Sequence, residues 1–464
     1  MNDWSEAEQH VERAHDLYEA GRWDEAEREL RRALSLNPFR PEWHFNLGLT
    51  LDAAGRLEDA AGALQAAHEL MPEDGPTLTL LASTCLRRDD AEGALRWLAK
   101  AESIEEVRAD ALLGKIEAFA SLGRVEDAEL AFYELLQDEE ESHHAPAYAA
   151  MGDALLHHGR SDRALYCLRE AATRDPDLPR INARLASAYA QTGRQERARQ
   201  LFLRELREMP GDLDTLLDLG ALLVDMNRFA EGAEKFRRVL EIEPDNADAH
   251  FALGDIALRQ QRRRDAEAAY RLVERLDPSY PEVKRRLAEL ALDRSDLVAA
   301  RRLLRLEARE MREAPESFTP SDLEDLGQLL LDARLHRDAA DALARLVERT
   351  PESANAHHLL AVARFALGDR EKAEDACRAA LEIEPSLIPA LHNMALNAIH
   401  LRRWARAAYF IDRISNADPD DSALRRLRLL LRFGRLMDRL SNALAKLRAR
   451  IGKRPQGAPR SAER

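Results

Sequence analysis

Residues 41–74 read PEWHFNLGLTLDAAGRLEDAAGALQAAHELMPED. Apolar residues return every three or four positions on both sides of Gly55, which is the period of a helix, and Pro72 ends the second run. Gly48 in the first run and Ala60 in the second are small, so two antiparallel helices can approach closely there. Leu47 and Leu64 fill the space the small residues leave. The stretch therefore predicts one helix–turn–helix unit.

The same unit returns along the chain. The place of Ala60 is held by Ala26, Ala94 and Ala128, then by Ala164, Ala198, Gly232, Ala266 and Ala300, then by Ala339, Ala373 and Ala407. The stride is about 34 residues, the period of a helical repeat array, with two slips. Aligned on it, twelve units begin at Ala7, Pro41, Gly75, Ala109, Ala145, Pro179, Leu213, Ala247, Pro281, Pro320, Ala354 and Ile388. The eighth position is again small at Gly152, Gly220, Gly254 and Gly327, and large apolar residues recur at position 24. Proline closes most units, where its missing amide hydrogen stops the second helix. Units three, four and nine lack it, having Glu106, Glu140 and Arg312 instead, and irregular joints are expected there.

These marks resemble the tetratricopeptide family over residues 7–421. The resemblance implies an all-α, right-handed solenoid of about twelve helix pairs. The organisation expected is a lead-in over 1–6, repeats one to four over 7–142, five to nine over 145–314 and ten to twelve over 320–421. A basic amphipathic capping region follows over 422–454, then a disordered tail over 455–464. The slips at His143–His144 and at 315–319 fall between repeats, where longer loops are tolerated.

Composition agrees with a helical array. A third of the 464 residues are charged and only 5% are aromatic, which suits helices with solvated outer faces. The three cysteines, Cys85, Cys167 and Cys377, are far apart and do not form a disulfide framework. With no apolar run long enough for a signal peptide or a membrane span, the cytoplasm is the expected compartment. There is no phosphate-binding glycine loop, GxSxG or CxxC. An enzyme is not expected, and neither is a cofactor or a resident metal.

Function is expected on the first helices, which in this family line the concave side. Positions two, five, nine, twelve and thirteen resemble the ligand-facing set. They include Phe45 and Leu49 in unit two, Asp214, Leu217 and Asp225 in unit seven, and Asp248, Phe251 and Asp255 in unit eight. Unit nine adds Glu282, Arg285 and Glu289. The lining is apolar with an acidic excess, which suits a protein or peptide segment carrying basic and apolar residues. His358 and His392 fall at position five of units eleven and twelve and His400 at position thirteen, but no carboxylate or cysteine is spaced to complete a metal site.

Charge is divided unevenly along the chain. From Ser422 onward, 13 arginines and lysines stand against Asp438 and Glu463, a net +11, which leaves −26 on residues 1–421 of a chain carrying −15. The acidic body makes nucleic acid an unlikely partner. In the basic end Phe433, Met437, Leu440, Leu444, Leu447 and Ile451 form one apolar stripe. Residues 422–433 are expected to cap the solenoid. Beyond them, self-association through residues 422–451 is the first expectation. The alternative is a membrane-peripheral assembly or targeting factor anchored by this helix.

Overall fold

The structure, a computed structural model, describes residues 2–137, 141–280 and 282–451, with the backbone alone at Asn2, Asp3, Glu141 and residues 446–451. The tail expected from 455 lies outside the described residues. The fold is all-α, and helix pairs follow the stride. By contact density the chain divides into two compact units, residues 1–244 and 245–464.

The first unit holds seven pairs: α1 (Asn2–Glu19) with α2 (Trp23–Leu36), α3 (Pro41–Ala53) with α4 (Leu57–Leu70), α5 (Gly75–Arg87) with α6 (Ala91–Ala101), α7 (Arg108–Ser121) with α8 (Val125–Leu135), α9 (His144–His157) with α10 (Ser161–Arg174), α11 (Ile181–Gln191) with α12 (Gln195–Glu208), and α13 (Leu213–Asp225) with α14 (Phe229–Ile242). The second unit holds five: α15 (Ala247–Arg259) with α16 (Arg263–Leu276), α17 (Val283–Asp293) with α18 (Leu297–Glu313), α19 (Pro320–Asp332) with α20 (His336–Arg349), α21 (Ala354–Leu367) with α22 (Arg370–Ile383), and α23 (Ile388–His400) with α24 (Trp404–Ala417). A single helix, α25 (Leu424–Ile451), follows. α1 reaches back through the residues expected as a lead-in. None of the described helices is long and apolar enough to cross a membrane.

Packing within a pair follows the small-to-large rule. A Cβ added to Gly48 would stand 2.5 Å from Leu64 Cγ, and the same pairing recurs at Gly152 with Leu168, Gly220 with Phe236, Gly254 with Tyr270 and Gly327 with Leu343. Every alanine of the stride is fully buried, and Gly232 is buried too. Each glycine thus admits one large side chain from the second helix, sixteen residues on, and bulk at either small position would force the pair apart.

The turns share a second constant. In the turn between the two helices of each pair one residue takes the left-handed conformation: Gly21, Gly55, Asp89, Gly123, Gly159, Gly193, Asn227, Gln261, Ser295, Arg334, Gly368 and Arg402, while Arg180 and Glu282 take it just before α11 and α17. Only half are glycine, although this region disfavours other residues. At the far end of the pair, proline follows the last helical residue by two positions, as at Pro38 after Leu36 and Pro278 after Leu276, and draws the residue between them into extended backbone.

The three joints without a closing proline differ. They carry short 3-10 helices at Glu105–Val107, Glu141–His143 and Pro315–Ser317. Before the last of these, α18 runs on to 17 residues, where other second helices have 11 or 14. The chain then re-enters a helix through a capping box in which Thr319 and Asp322 satisfy each other's backbone amides.

Candidate functional site

First helices of neighbouring pairs lie side by side, so their outward residues form one face in each unit. In the first unit Phe45, Leu49 and Leu217 are half-buried on that face, while Asp214 and Asp225 are exposed. Much of the acidity there already has an arginine. Asp214 accepts from Arg180 at 2.8 Å, Asp153 lies 3.2 Å from Arg184, and Asp52 pairs with Arg87. Asp218, beside Asp212 and Asp214, has its carboxyl pushed above the usual range by desolvation and by those like charges.

In the second unit the sequence-derived lining is more strongly occupied. Asp248 accepts from the Tyr280 hydroxyl at 2.7 Å and Asp255 from the Tyr270 hydroxyl at 2.5 Å. Phe251 packs between these two rings, at 5.3 Å from Tyr270 and 5.0 Å from Tyr280. Arg286 stands 3.6 Å from Asp255, 3.4 Å from Glu282 and 3.7 Å from Glu289. These carboxylates are acceptors within the chain before any partner arrives, a role the sequence reading does not give them. The signal that could have found the cross-helix pairs is an acid and an arginine about one stride apart, as at Asp214 and Arg180.

Arg285 is the clearest departure. Position five makes it a lining residue, yet it is buried, 2.6 Å from the equally buried Glu307 and 2.7 Å from Asp322. Burial pushes the Glu307 carboxyl up to about 7. The beginning of α19 is thus tied to α17 and α18 by an interior ion network.

That network underlies an opening in the second unit. Between α17 and α19 lies an open cleft of about 640 Å³, with Glu282, Glu289, Asp293, Asp325 and Asp332 around it and Leu292, Leu297 and Leu329 among its apolar surfaces. Five carboxylates face two arginines, Arg285 and Arg286, and Arg285 is neutralised from behind. Asp293 is held from outside by Arg263 at 2.8 Å, while the side chain of Asp325, 4.0 Å from Arg285, is 70% exposed, so charge remains available at the rim.

The three histidines do not converge. His358 Nδ1 is 3.4 Å from the Asn393 amide, His392 Nε2 is 3.2 Å from Asp421, and His400 Nε2 is 2.5 Å from Arg370. Burial lowers the pKa of His358. Among the described residues no group of three or more His, Cys, Asp or Glu is arranged to hold a metal ion.

A family model described as Tetratricopeptide repeat matches residues 11–74, 86–143, 149–212, 217–281, 252–317 and 324–387. No curated protein matches the chain. Among solved structures, that of the APC/C hetero-tetramer Cut9-Hcn1 is similar at 14% identity and a TM-score of 0.41, covering 91% of this chain and 95% of that one. Yeast Tom70 is similar at 15% and 0.39, covering 97% and 99%. A tetratricopeptide repeat protein from Parabacteroides merdae stands at 18% and 0.40, covering 62% and 99%.

Proposed function

The chain belongs to the tetratricopeptide repeat family, and from that premise we propose that it is a non-enzymatic scaffold whose first-helix face receives a protein or peptide segment carrying lysine or arginine between apolar anchors. One observation carries the proposal: the cleft between α17 and α19, where carboxylates outnumber arginines around leucine surfaces. A basic side chain entering there gains charge complementarity at the rim while its apolar neighbours cover Leu292 and Leu329. The interior tie from Arg285 to Asp322 supports the reading, because a wall fixed beforehand lowers the ordering cost of binding. Action in the cytoplasm belongs to the same proposal, and the buried, unbridged thiols of Cys85, Cys167 and Cys377 favour a reducing compartment.

Peptides of about twelve residues alternating lysine or arginine with leucine, compared with glutamate-for-lysine counterparts, provide the test by fluorescence anisotropy. Basic peptides are expected to bind with an affinity that falls with salt. Reversing Glu289, Asp325 and Asp332 to lysine should weaken them tenfold or more, which corresponds to about 1.4 kcal/mol or more. Equal affinity for the acidic peptides, or an unaffected triple variant, would refute the assignment. Attachment to a membrane through α25 is the rival reading, and it draws on that helix's exposed stripe.

A further inference from the structure

α25 has two apolar faces, and one is already covered. Leu424, Leu427 and Leu431 are buried in the same core as Phe410 and Ile414 of α24. A Cβ on Gly434 would stand 2.5 Å from Trp404 Cη2. Asp438 accepts from Trp404 Nε1 at 2.8 Å and from Arg402 at 2.7 Å. These five positions, spaced alternately by three and four, close the exposed end of the last helix pair. The cap therefore reaches past the 422–433 segment that the sequence suggests. On the other side Phe433, Met437, Leu440 and Leu444, with Leu429 and Leu436 beside them, are each half exposed or more. The sequence continues the spacing at Leu447 and Ile451.

We propose that this second row is the seam of a two-fold contact with a second copy of the chain, α25 against α25. The placement of charge selects the occupant. In a pair of helices the positions flanking the seam face the partner. From Phe433 to Leu444 they are Leu436, Ser441 and Ala443, none of them charged; arginine takes flanking positions only beyond Leu444, at Arg448 and Arg450. Arg425, Arg428, Arg432, Arg435 and Arg439 form a separate row, so from Phe433 to Leu444 two copies close the seam without setting arginine against arginine. A helix lying in an anionic bilayer gains from cations along both edges of its apolar face, and from Phe433 to Leu444 the cations follow one edge only. The −26 carried by residues 1–421 also opposes approach to such a surface. The contact is independent of the cleft between α17 and α19. From Phe433 to Leu444 it is about 17 Å long, short for a coiled coil, so the dimer is one that dissociates on dilution.

Sedimentation equilibrium of the full chain from 1 to 200 µM tests this. The mass is expected to rise from that of one chain, 52.4 kDa, toward twice that value. A Met437→Glu, Leu440→Glu, Leu444→Glu variant should stay monomeric, or weaken at least tenfold, with its circular dichroism unchanged because these side chains are exposed in the single chain. A wild type that remains monomeric at 200 µM overturns the proposal. So does a triple variant that dimerises as wild type does. Flotation with phosphatidylserine vesicles separates the bilayer reading: a monomeric wild type that floats, and a variant that does not, would assign the row to a membrane.

Discussion

The left-handed residue in each turn is where backbone chemistry and sequence choice part company. Six pairs use glycine, and the others place Asp89, Asn227, Gln261, Ser295, Arg334 or Arg402 at φ between 57° and 61°. A left-handed residue with a Cβ is strained by roughly 1–2 kcal/mol, of which glycine's greater freedom in the unfolded chain returns part. Gln261→Gly and Arg334→Gly should each stabilise by about 0.5–1 kcal/mol, seen as higher urea midpoints. Gly193→Ala should lose about 1 kcal/mol; its added Cβ meets nothing within 4 Å, so the loss is purely conformational. If the glycine variants lower the midpoint as much as Gly193→Ala does, conformational strain is not what these turns carry. The same residues show what could be read in advance. Gly48 and Leu64 announce their contact because the partner lies sixteen residues away in all five pairs that place glycine there, a local relation that repetition makes visible. Asp255 does not announce Tyr270 or Arg286, because a surface carboxylate's partner depends on how side chains reach between helices. The acidic face therefore looked more open in the sequence than it is.

Among the elements, the run α17–α18–α19 departs furthest from the regular pattern. Within its ordinary length α18 carries Glu307 opposite Arg285, and Asp322 does two jobs, capping α19 and accepting from Arg285. Removing one member of a buried pair leaves the other uncompensated. Above pH 7, where Glu307 is ionised, Arg285→Met should cost about 3–5 kcal/mol locally, and adding Glu307→Leu should recover most of it. Hydrogen exchange of the α17 and α19 amides measures both; no recovery in the double variant would mean that Arg285 acts mainly by filling space. Acidity gives an independent check. Glu307 holds its proton in the folded chain up to about pH 7, against 4.5 in the unfolded chain. Between those values the folded state binds the additional proton, so this group's contribution falls as pH rises through the window. Asp322, held low by Thr319 and Arg285 despite its burial, has the opposite sign and loses its contribution as pH falls through its depressed pKa. The difference between wild type and Glu307→Gln isolates the first effect: it should change steeply from pH 5 to 7 and level off above. A flat difference would place Glu307 in contact with water.

For the whole molecule, the repeating contact makes stability a matter of neighbours. Within each unit an interior pair buries one face against the preceding pair and one against the next, so disturbance should decay with distance along the array instead of spreading uniformly. Ala266 is a suitable probe. It is fully buried in α16, in one core with Ala257 of α15 and Val283 and Leu287 of α17, and arginine there must displace packed neighbours. The overpacking should cost roughly 1–3 kcal/mol or more. Hydrogen exchange followed helix by helix should show α15, α16 and α17 losing protection first. Amides of α21 and α22 should keep wild-type rates until denaturant reaches their own transition. Uniform loss across all of these helices would instead mean that the second unit folds as one cooperative body. A cleft built from two neighbouring first helices would then be no more independent of distant pairs than the core itself. Local loss would confine the cleft to the pairs that frame it, leaving the seam on α25 to vary separately.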